Sequence, residues 1–473
     1  MLGEIFDMPK TLETTVTPPP DPLRSLHFIG IGGAGMSGIA SVWSKRGYEV
    51  TGSDLKPSRY VTLLEEQGVP VRIGHSEANL DHPDVVVISS AVPPQNVELQ
   101  EAGRRGIPVV KRAQALAWLM QQGRGVAVCG THGKTTTTSM ISRVLVQAEL
   151  DPTFLVGGEL NDLGSNSRHG EGEYVVCEAD ESDGSLLLLE PEVAVLTNLE
   201  LDHHSNYLHV EDVEEVFAQF LTHIPGSGLL IYCAEDPRVV RLADKSGCRT
   251  CSYGLVESAD YQARAVTAVH PGKSFEVWRR GKKVAKVGLS VPGEHNVLNA
   301  LACFATLGEL GVDADSIVAG LASFSGAVRR FQLKGQRDGV TVVDDYAHHP
   351  TELSATLKAA REGEWSRVVA VFQPHLYSRT EYLHREFAEA LLAADLAVVT
   401  DVYGAREEPL PGVSGKLIVD AMLGLAKNKP VAYLPRQASV IEYLHHATVP
   451  GDLVLTLGAG DVHRVGERFL EAV

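Results

Sequence analysis

Apolar positions along the chain fall into short runs separated by amphipathic stretches, and this alternation begins at Ser25. Leu26–Gly32 reads as a buried strand, Met36–Gly47 as a helix with apolar residues three and four apart, and Tyr48–Asp54 as the next strand. Asp84–Ser90 and Ile107–Arg112 continue the series. Unbroken Val/Ile runs of this kind belong to parallel strands covered on both faces, so the pattern predicts an α/β fold of repeated βαβ units. A polar, Gly-containing segment, Gln121–Gly125, interrupts the rhythm, and a second series follows with Gly125–Gly130, Tyr174–Asp180, Val193–Leu201 and Gly228–Cys233. It runs through the helical pattern of His295–Leu310 to about Ala327. Beyond Arg329-Arg330 a third series holds Gly339–Tyr346, Arg367–Gln373, Leu396–Val402 and Asp452–Asp461. The expectation is a flexible tail over 1–23 and three α/β domains over 24–122, 123–327 and 328–473.

The length of 473 residues suits three domains, and 44% hydrophobic with 22% charged residues excludes wholesale disorder and fibrous repeats. No run of 18 apolar residues occurs, so no membrane insertion is predicted. The first residues carry Glu4, Asp7 and Glu13 before Pro18-Pro19-Pro20, unlike a secretory signal, which points to a cytoplasmic address. The net charge of −18 repels nucleic acid and anionic membranes, so nucleic-acid partners are excluded and a polyanionic ligand must be held by local donors. Six cysteines are too sparse for a disulfide framework and suit a reducing compartment. The single CxxC, Cys248–Cys251, has no second ligand pair at zinc spacing.

Gly30-Ile31-Gly32-Gly33-Ala34-Gly35 fits GxGxxG between a strand and a helix, where glycine lets the backbone approach a phosphate at the helix N-terminus. Asp54, after the second strand, stands where a ribose partner is expected. A dinucleotide and another diphosphate ligand both fit this motif. Gly130-Thr131-His132-Gly133-Lys134-Thr135-Thr136 is a phosphate loop with Val128 in place of the leading glycine. Its N–H groups form a nest, Lys134 reaches the terminal phosphates, and the Thr135 hydroxyl can ligate Mg²⁺. A nicotinamide-dependent oxidoreductase would explain the first loop and leave the second idle, so the chain calls for two nucleotide ligands.

Further polar groups follow at strand ends. Glu178 to Asp183 and Asp202-His203-His204 suit completion of a Mg²⁺ site beside the phosphate loop rather than solvated turns. Asn296 and Asn299 share one face of a helix start and can read a base or ribose or cap the helix. In the third domain, Arg329-Arg330, Asp344 to His349 and Gln373 to Arg379 lie at element junctions, where adjacent arginines suit a carboxylate or phosphate clamp.

Together these residues resemble the Mur ligase family, the ATP-dependent enzymes that build the peptide stem of peptidoglycan precursors. GTHGKTTTT, EADESD, GEHNVLNALA and DDYAHHPTE carry the resemblance, in matching order across about residues 24–470. HFIGIGGAGMSGIA, SSAV at Ser89–Val92, RRFQ and FQPH look like the members that add L-alanine to UDP-N-acetylmuramate. The resemblance implies a Rossmann-like UDP-sugar domain, a central ATPase domain and a Rossmann-like third domain for the amino acid. Gly30, Gly32, Gly33, Ala34 and Gly35, with Ser53, Asp54, His75, Ser89, Ser90 and Ala91, would then hold the UDP-sugar. Gly130, Thr131, His132, Gly133, Lys134, Thr135 and Thr136 would hold the ATP phosphates, while Thr135, Glu178 and His203 would bind Mg²⁺. His295, Asn296 and Asn299 would contact adenine and ribose, and Arg330 and Asp345 would reach the nucleotide from the third domain. Tyr346, His348, His375 and Arg379 would line the L-alanine pocket, with Lys134, Glu178, His203, His348 and His375 as the catalytic set.

The implied chemistry activates the lactyl carboxylate as an acyl phosphate, which the amine of L-alanine displaces, with His348 or His375 as base and the third domain closing over ATP. A monomer or dimer is expected. Within the class, a ligase that recycles a preformed tripeptide onto the same sugar nucleotide is the nearest alternative. Folylpolyglutamate synthetase lacks a UDP-binding first domain of this kind, and a nucleotide sensor needs no such set of reactive groups. Two features depart from the family pattern. Several members carry a carbamoylated lysine that bridges metals, but no lysine lies between Lys134 and Lys245, so Glu178, His203 and water must suffice. Leu376 stands where some alanine-adding members have arginine, which leaves Arg379 to take that load.

Overall fold

The computed structural model describes residues 15–89, 91–161, 164–182, 184–202, 206–405 and 407–471. The first apolar series forms β1 (Ser25–Ile29), β2 (Glu49–Asp54), β3 (Val71–Ile73), β4 (Val85–Ile88) and β5 (Val109–Lys111). They pair in parallel in the order β3-β2-β1-β4-β5. The chain reverses direction of travel across the sheet at β1, so the glycine turn after it opens into the crevice where such sheets bind ligands.

The central sheet contains β6 (Arg124–Cys129), β7 (Thr153–Leu160), β8 (Ser165–Arg168), β9 (Tyr174–Glu178), β10 (Val193–Leu196), β11 (Leu229–Cys233) and β12 (Arg249–Gly254). It is extended by β13 (Tyr261–Val269), β14 (Gly272–Arg279) and β15 (Lys282–Leu289), an antiparallel meander that the sequence reading did not anticipate. The order β15-β14-β13-β12-β11-β10-β6-β9-β7-β8 places β6 between β10 and β9, which makes the phosphate loop the second switch point. The third sheet holds β16 (Gln332–Arg337), β17 (Val340–Asp345), β18 (Arg367–Phe372), β19 (Leu396–Val399), β20 (Val431–Tyr433) and β21 (Asp452–Leu457), ordered β16-β17-β21-β18-β19-β20.

Packing joins the first two sheets more intimately than their separate topologies suggest. The helix Arg112–Met120 buries every residue after Arg112, as expected of a helix apolar all round. Trp118, Leu119 and Met120 join Trp43 to Ala127, Cys129, Phe217 and Phe220 in one apolar cluster. The third sheet has its own clusters on its two faces, and near the site it meets the central domain through polar side chains. Such an interface favours relative motion over a fixed union.

The tail predicted to run to residue 23 is partly anchored. Thr17 N–H donates to Gln114 Oε1 at 3.1 Å, Thr17 O accepts from Trp118 Nε1 at 2.7 Å, and Val16 and Leu23 pack on the shared core. This pairing spans about a hundred residues, which local composition does not report. All six cysteines are free; Cys251 of the CxxC is buried and Cys248 half-buried. Among the described residues no helix is long and apolar enough to cross a membrane.

Candidate active site

Between Cys129 and the helix Lys134–Gln147 the backbone turns through left-handed conformations at Gly130 (φ +120°) and Gly133 (φ +83°). A Cβ on Gly130 would lie 2.2 Å from Thr197 Oγ1, and one on Gly133 2.6 Å from Asn299 Oδ1, so both ends of GTHG require glycine. Asn198 pins the middle, accepting from His132 N–H at 2.8 Å and donating to His132 O at 2.9 Å. Lys134 Nζ donates to Gly130 O at 2.6 Å and pairs with Glu181 at 2.8 Å. Burial opposes the Lys134 charge, but Glu181 and Asp180 outweigh it and raise its pKa above the ordinary value. Burial drives Glu181 up to about 7 against the pull of Lys134, with the Asp180 charge adding to the rise. The lysine is thus held as a cation on its own loop.

Glu178, at the end of β9, accepts from Thr135 Oγ1 at 3.1 Å and from Gly157 N–H at 2.5 Å. Burial raises its pKa. A hydroxyl beside a carboxylate is an all-oxygen donor set of the kind Mg²⁺ takes. The strand carrying Gly157 also reaches the first domain: its neighbour β8 sends Asn166 Nδ2 to Ala34 O at 2.9 Å, and Glu159 pairs with Arg59 at 2.8 Å. The glycine turn and the phosphate loop therefore flank one hairpin. His203, predicted as a metal ligand, and Ser90, predicted at the UDP-sugar site, lie outside the described residues.

On the third-domain side, His132 is sandwiched between carboxylates, 3.0 Å from Glu200 and 3.4 Å from Glu352. Burial alone would depress its pKa, but those two acids raise it to about 9. His349, with its ring centroid 4.8 Å from that of His132, is lowered to about 4 by burial and by the neighbouring cation. Glu352 stays well below the usual carboxylate range despite burial, because His348, His132 and Arg330 surround it. His132, Glu200 and His349 bring one possible metal-ligand atom each within 4.8 Å. However, His349 Nδ1 caps the helix Pro350–Arg361 by accepting from Thr351 N–H, and His132 is already engaged by two acids. His132 with Glu200 and Glu352 forms an ion-pair cluster that latches the third domain to the phosphate loop.

The other third-domain predictions divide into gripping and exposed groups. Arg329 is structural: it donates to Asp344 at 2.9 Å and to Gly458 O at 2.6 Å. Arg330 instead lines a cleft between the central and third domains, and sits between two residues in left-handed backbone, Arg329 (φ +61°) and Phe331 (φ +48°). Non-glycine residues there are strained, and Asp345 holds the turn by accepting from Phe331 N–H at 2.7 Å. Burial raises Asp345 to about 6 even with Arg330 nearby.

Arg379, assigned to the alanine pocket, is buried, and three of its five N–H groups are engaged. Nε and Nη2 bind Asp202 Oδ1 at 3.0 and 2.6 Å, and Nη1 lies 3.3 Å from His375 Nδ1. Its pairing with Asp202 ties the third domain to the central one. Leu376 begins the helix Tyr377–Leu391 with φ +71°. His348 points Nδ1 at Tyr346 O, 3.0 Å away, and its ring stands 6.0 Å from that of His375 and 5.3 Å from that of Tyr346. Burial lowers His348 to about 3, with the Arg379 charge reinforcing the shift against Glu352.

A cleft of about 440 Å³ joins these elements and is lined by His132, Gly133, Thr136, His295, Asn296, Asn299, Arg330 and Asp345. The sequence placed all eight at the ATP site. Asn299 also accepts from Thr137 at 3.2 Å and donates to Asn296 at 3.2 Å, so it braces the phosphate-loop helix as well as facing the cleft. Burial and the Arg330 charge lower His295 to about 4.

In the first domain, Gly30 and Ile31 N–H groups donate to Ser53 O at 2.8 and 3.0 Å. Asp54, expected to meet a ribose, accepts from Gly32 N–H at 2.9 Å and so also shapes the turn. Ser89 packs against Gly30, and its hydroxyl accepts from Ala91 N–H at 3.3 Å. Sequence reasoning missed Glu200, Asn198 and Glu98 as partners of the site. Glu352 had a local signal, as the third residue of a capping box that starts at His349.

Three family models match in chain order: the Mur ligase family catalytic domain over residues 25–124, the Mur ligase middle domain over 128–307, and the Mur ligase glutamate ligase domain over 329–460. The chain belongs to the Mur ligase family. Among Mur ligases it is 52% identical over 447 residues to the UDP-N-acetylmuramate–L-alanine ligase of Rubrobacter xylanophilus, covering 94% of this chain and 99% of that one. The enzyme of the same name from Pelotomaculum thermopropionicum is 46% identical, covering 94% and 97%. The crystal structure of the UDP-N-acetylmuramate-alanine ligase of Thermotoga maritima superposes with a TM-score of 0.78 at 31% identity, covering 94% of this chain and 98% of that one.

Proposed function

We propose that this Mur ligase joins L-alanine to the lactyl carboxylate of UDP-N-acetylmuramate at the expense of ATP, in the cytoplasm. One observation carries the reading: Glu178 bridges the phosphate-loop hydroxyl of Thr135 and the hairpin that abuts the first domain's glycine turn. A sugar nucleotide on that turn and a triphosphate on the loop would meet across this hairpin.

A carboxylate is a poor acyl donor until one of its oxygens becomes part of a good leaving group. The lactyl oxygen attacks the γ-phosphorus of ATP, ADP departs, and the resulting acyl phosphate is opened by the amine with release of phosphate. Bringing two anions together requires local cations in a chain of net charge −18. Lys134 leaves Glu181 for the phosphates, and Arg330 approaches from the third domain. Thr135 and Glu178 suit Mg²⁺, which supplies charge neutralisation at the phosphates when bound.

His348 is the better placed of the two candidate bases. Its Nδ1 faces Tyr346 O, which leaves Nε2 as an acceptor, whereas Arg379 occupies Nδ1 of His375. Held near 3, His348 is a weak base, so its part is to accept a hydrogen bond from the uncharged amine and orient it. Arg379 acts indirectly by tying the third domain to Asp202. The test is phosphate release from ATP with UDP-N-acetylmuramate and, in turn, L-alanine, glycine, L-serine and the L-Ala-γ-D-Glu-diaminopimelate tripeptide. Release that requires both the sugar nucleotide and L-alanine is expected; release only with the tripeptide would reassign the acceptor.

A further inference from the structure

The net charge of −18 is an average that one segment reverses. The meander β13–β15, residues 261–289, carries seven basic residues against one acidic residue, Glu276. The helices Glu294–Glu309 and Ala314–Ala322 cover one face of it, where Phe275, Val277, Val287 and Leu289 join their apolar core. Strand alternation sends the intervening side chains to the opposite face. Register sets Arg264, Glu276 and Lys286 side by side across that face, and two residues along β14 it sets Trp278 opposite Lys283.

On this outer face a single carboxylate stands among three cations. Glu276 accepts from Lys283 Nζ at 2.6 Å and from Trp278 Nε1 at 3.0 Å, and the Arg264 guanidinium lies 4.5 Å from the Trp278 ring centroid. The chain turns from β14 into β15 through two left-handed residues, Arg280 (φ +46°) and Gly281 (φ +77°), which leaves Arg280 exposed at the hairpin tip and paired with Asp260 at 3.1 Å. Among the described residues Arg264, Lys282 and Lys286 enter no ion pair. The register slips between Val277 and Trp278, so Val284 has no partner across the strand pair and stands 39% exposed amid the three lysines of β15. β15 is the free edge of the ten-stranded sheet, and edge lysines hinder strand addition. That role does not account for Arg264, which lies two strands inward on the same face.

An open sheet face with excess positive charge, flexible lysines and one exposed apolar residue is complementary to a bilayer surface of anionic headgroups. The ammonium groups meet lipid phosphates while their methylene stems and Val284 lie against the boundary between headgroups and acyl chains. The acidic remainder of the chain does not cancel this attraction, because charges more than about 8 Å apart are largely screened at physiological salt. We propose that the outer face of β13–β15 is a docking surface for an anionic lipid bilayer, through Arg264, Arg280, Lys282, Lys283 and Lys286 around Val284. The contact is peripheral and inserts no helix. None of these residues lines the cleft that holds Arg330 and Asn299, so docking is separable from turnover.

The test is cosedimentation of the full chain with vesicles of phosphatidylcholine alone and of an equal mixture with phosphatidylglycerol, at low salt and at several times physiological salt. Binding to the anionic vesicles only, lost at high salt, is expected. Each cation near such a surface is worth roughly fivefold, so Lys282→Gln with Lys286→Gln, which breaks no ion pair, should weaken binding by about 25-fold and leave phosphate release from ATP unchanged. Val284→Asp should weaken binding as well. No binding to the anionic vesicles at low salt, equal binding to both kinds of vesicle, or undiminished binding by the double variant overturns the inference. Polyglutamate serves as a second probe: binding to it but not to vesicles would assign the face to an acidic protein and overturn the bilayer.

Discussion

Replacing Glu352 by Gln tests whether the phosphate loop and the third domain are joined by charge. Glu352 lies 3.4 Å from His132 Nδ1 and 3.7 Å from Arg330 Nη1, while Glu200 lies 3.0 Å from His132 on the other side. The rise of His132 from 6.5 to about 9 corresponds to at most ~3.4 kcal/mol of preference for the charged form. Because the folded-state value lies above the unfolded one, this stabilisation is fully present below about pH 6.5 and is lost as pH rises through 9. Glu200 is the more exposed partner, 37% against 13% for Glu352, so its attraction is better screened. Removing the Glu352 charge should therefore lower the His132 midpoint by ~1–2 units, or ~1.4–2.7 kcal/mol. The assay is NMR titration of ¹³C-histidine-labelled protein, with the His132 signal identified by its loss in His132→Asn. A midpoint that moves by less than ~0.3 unit, about 0.4 kcal/mol, would refute the latch.

Other substitutions separate the remaining roles. Lys134→Ala should abolish ATP-dependent phosphate release while leaving UDP-sugar affinity nearly intact, read by turnover and by equilibrium binding of the sugar nucleotide. Glu178→Gln should raise the Mg²⁺ concentration needed for half-maximal activity, and an unchanged Mg²⁺ titration would remove it from the metal shell. Gly130→Ala should cost about 2–3 kcal/mol in unfolding experiments, because its Cβ would meet Thr197 Oγ1 at 2.2 Å in left-handed backbone. His348 and His349, lowered to about 3 and 4, should make stability fall as pH drops from 6.5 through 4, since the unfolded chain takes up protons that the folded protein refuses. Denaturation midpoints across that range check it.

The parallel strands were legible because they are buried on both faces and leave uninterrupted runs such as Val193–Leu196. The meander β13–β15 was not, because its exposed face carries Arg264, Lys282 and Lys283 and breaks the apolar signal. Both loops were legible because their chemistry is local: glycine, lysine and hydroxyl positions within a few residues. The pairing of His132 with Glu352 spans 220 positions, and that of Arg379 with Asp202 spans 177, so no spacing rule reports them. For the same reason the tie of Arg379 to Asp202 across the domain boundary left no mark in the sequence. Glu98 drew no reading from the sequence, because the three segments that converge on it are distant along the chain.

The acyl phosphate is the central claim, and the path of one oxygen tests it. UDP-N-acetylmuramate labelled with ¹⁸O in the lactyl carboxylate should, with ATP and L-alanine, yield inorganic phosphate carrying one ¹⁸O, seen by the isotope shift in its ³¹P signal. That oxygen can reach phosphate only if the carboxylate attacked phosphorus. Unlabelled phosphate formed together with the alanyl product would contradict the account.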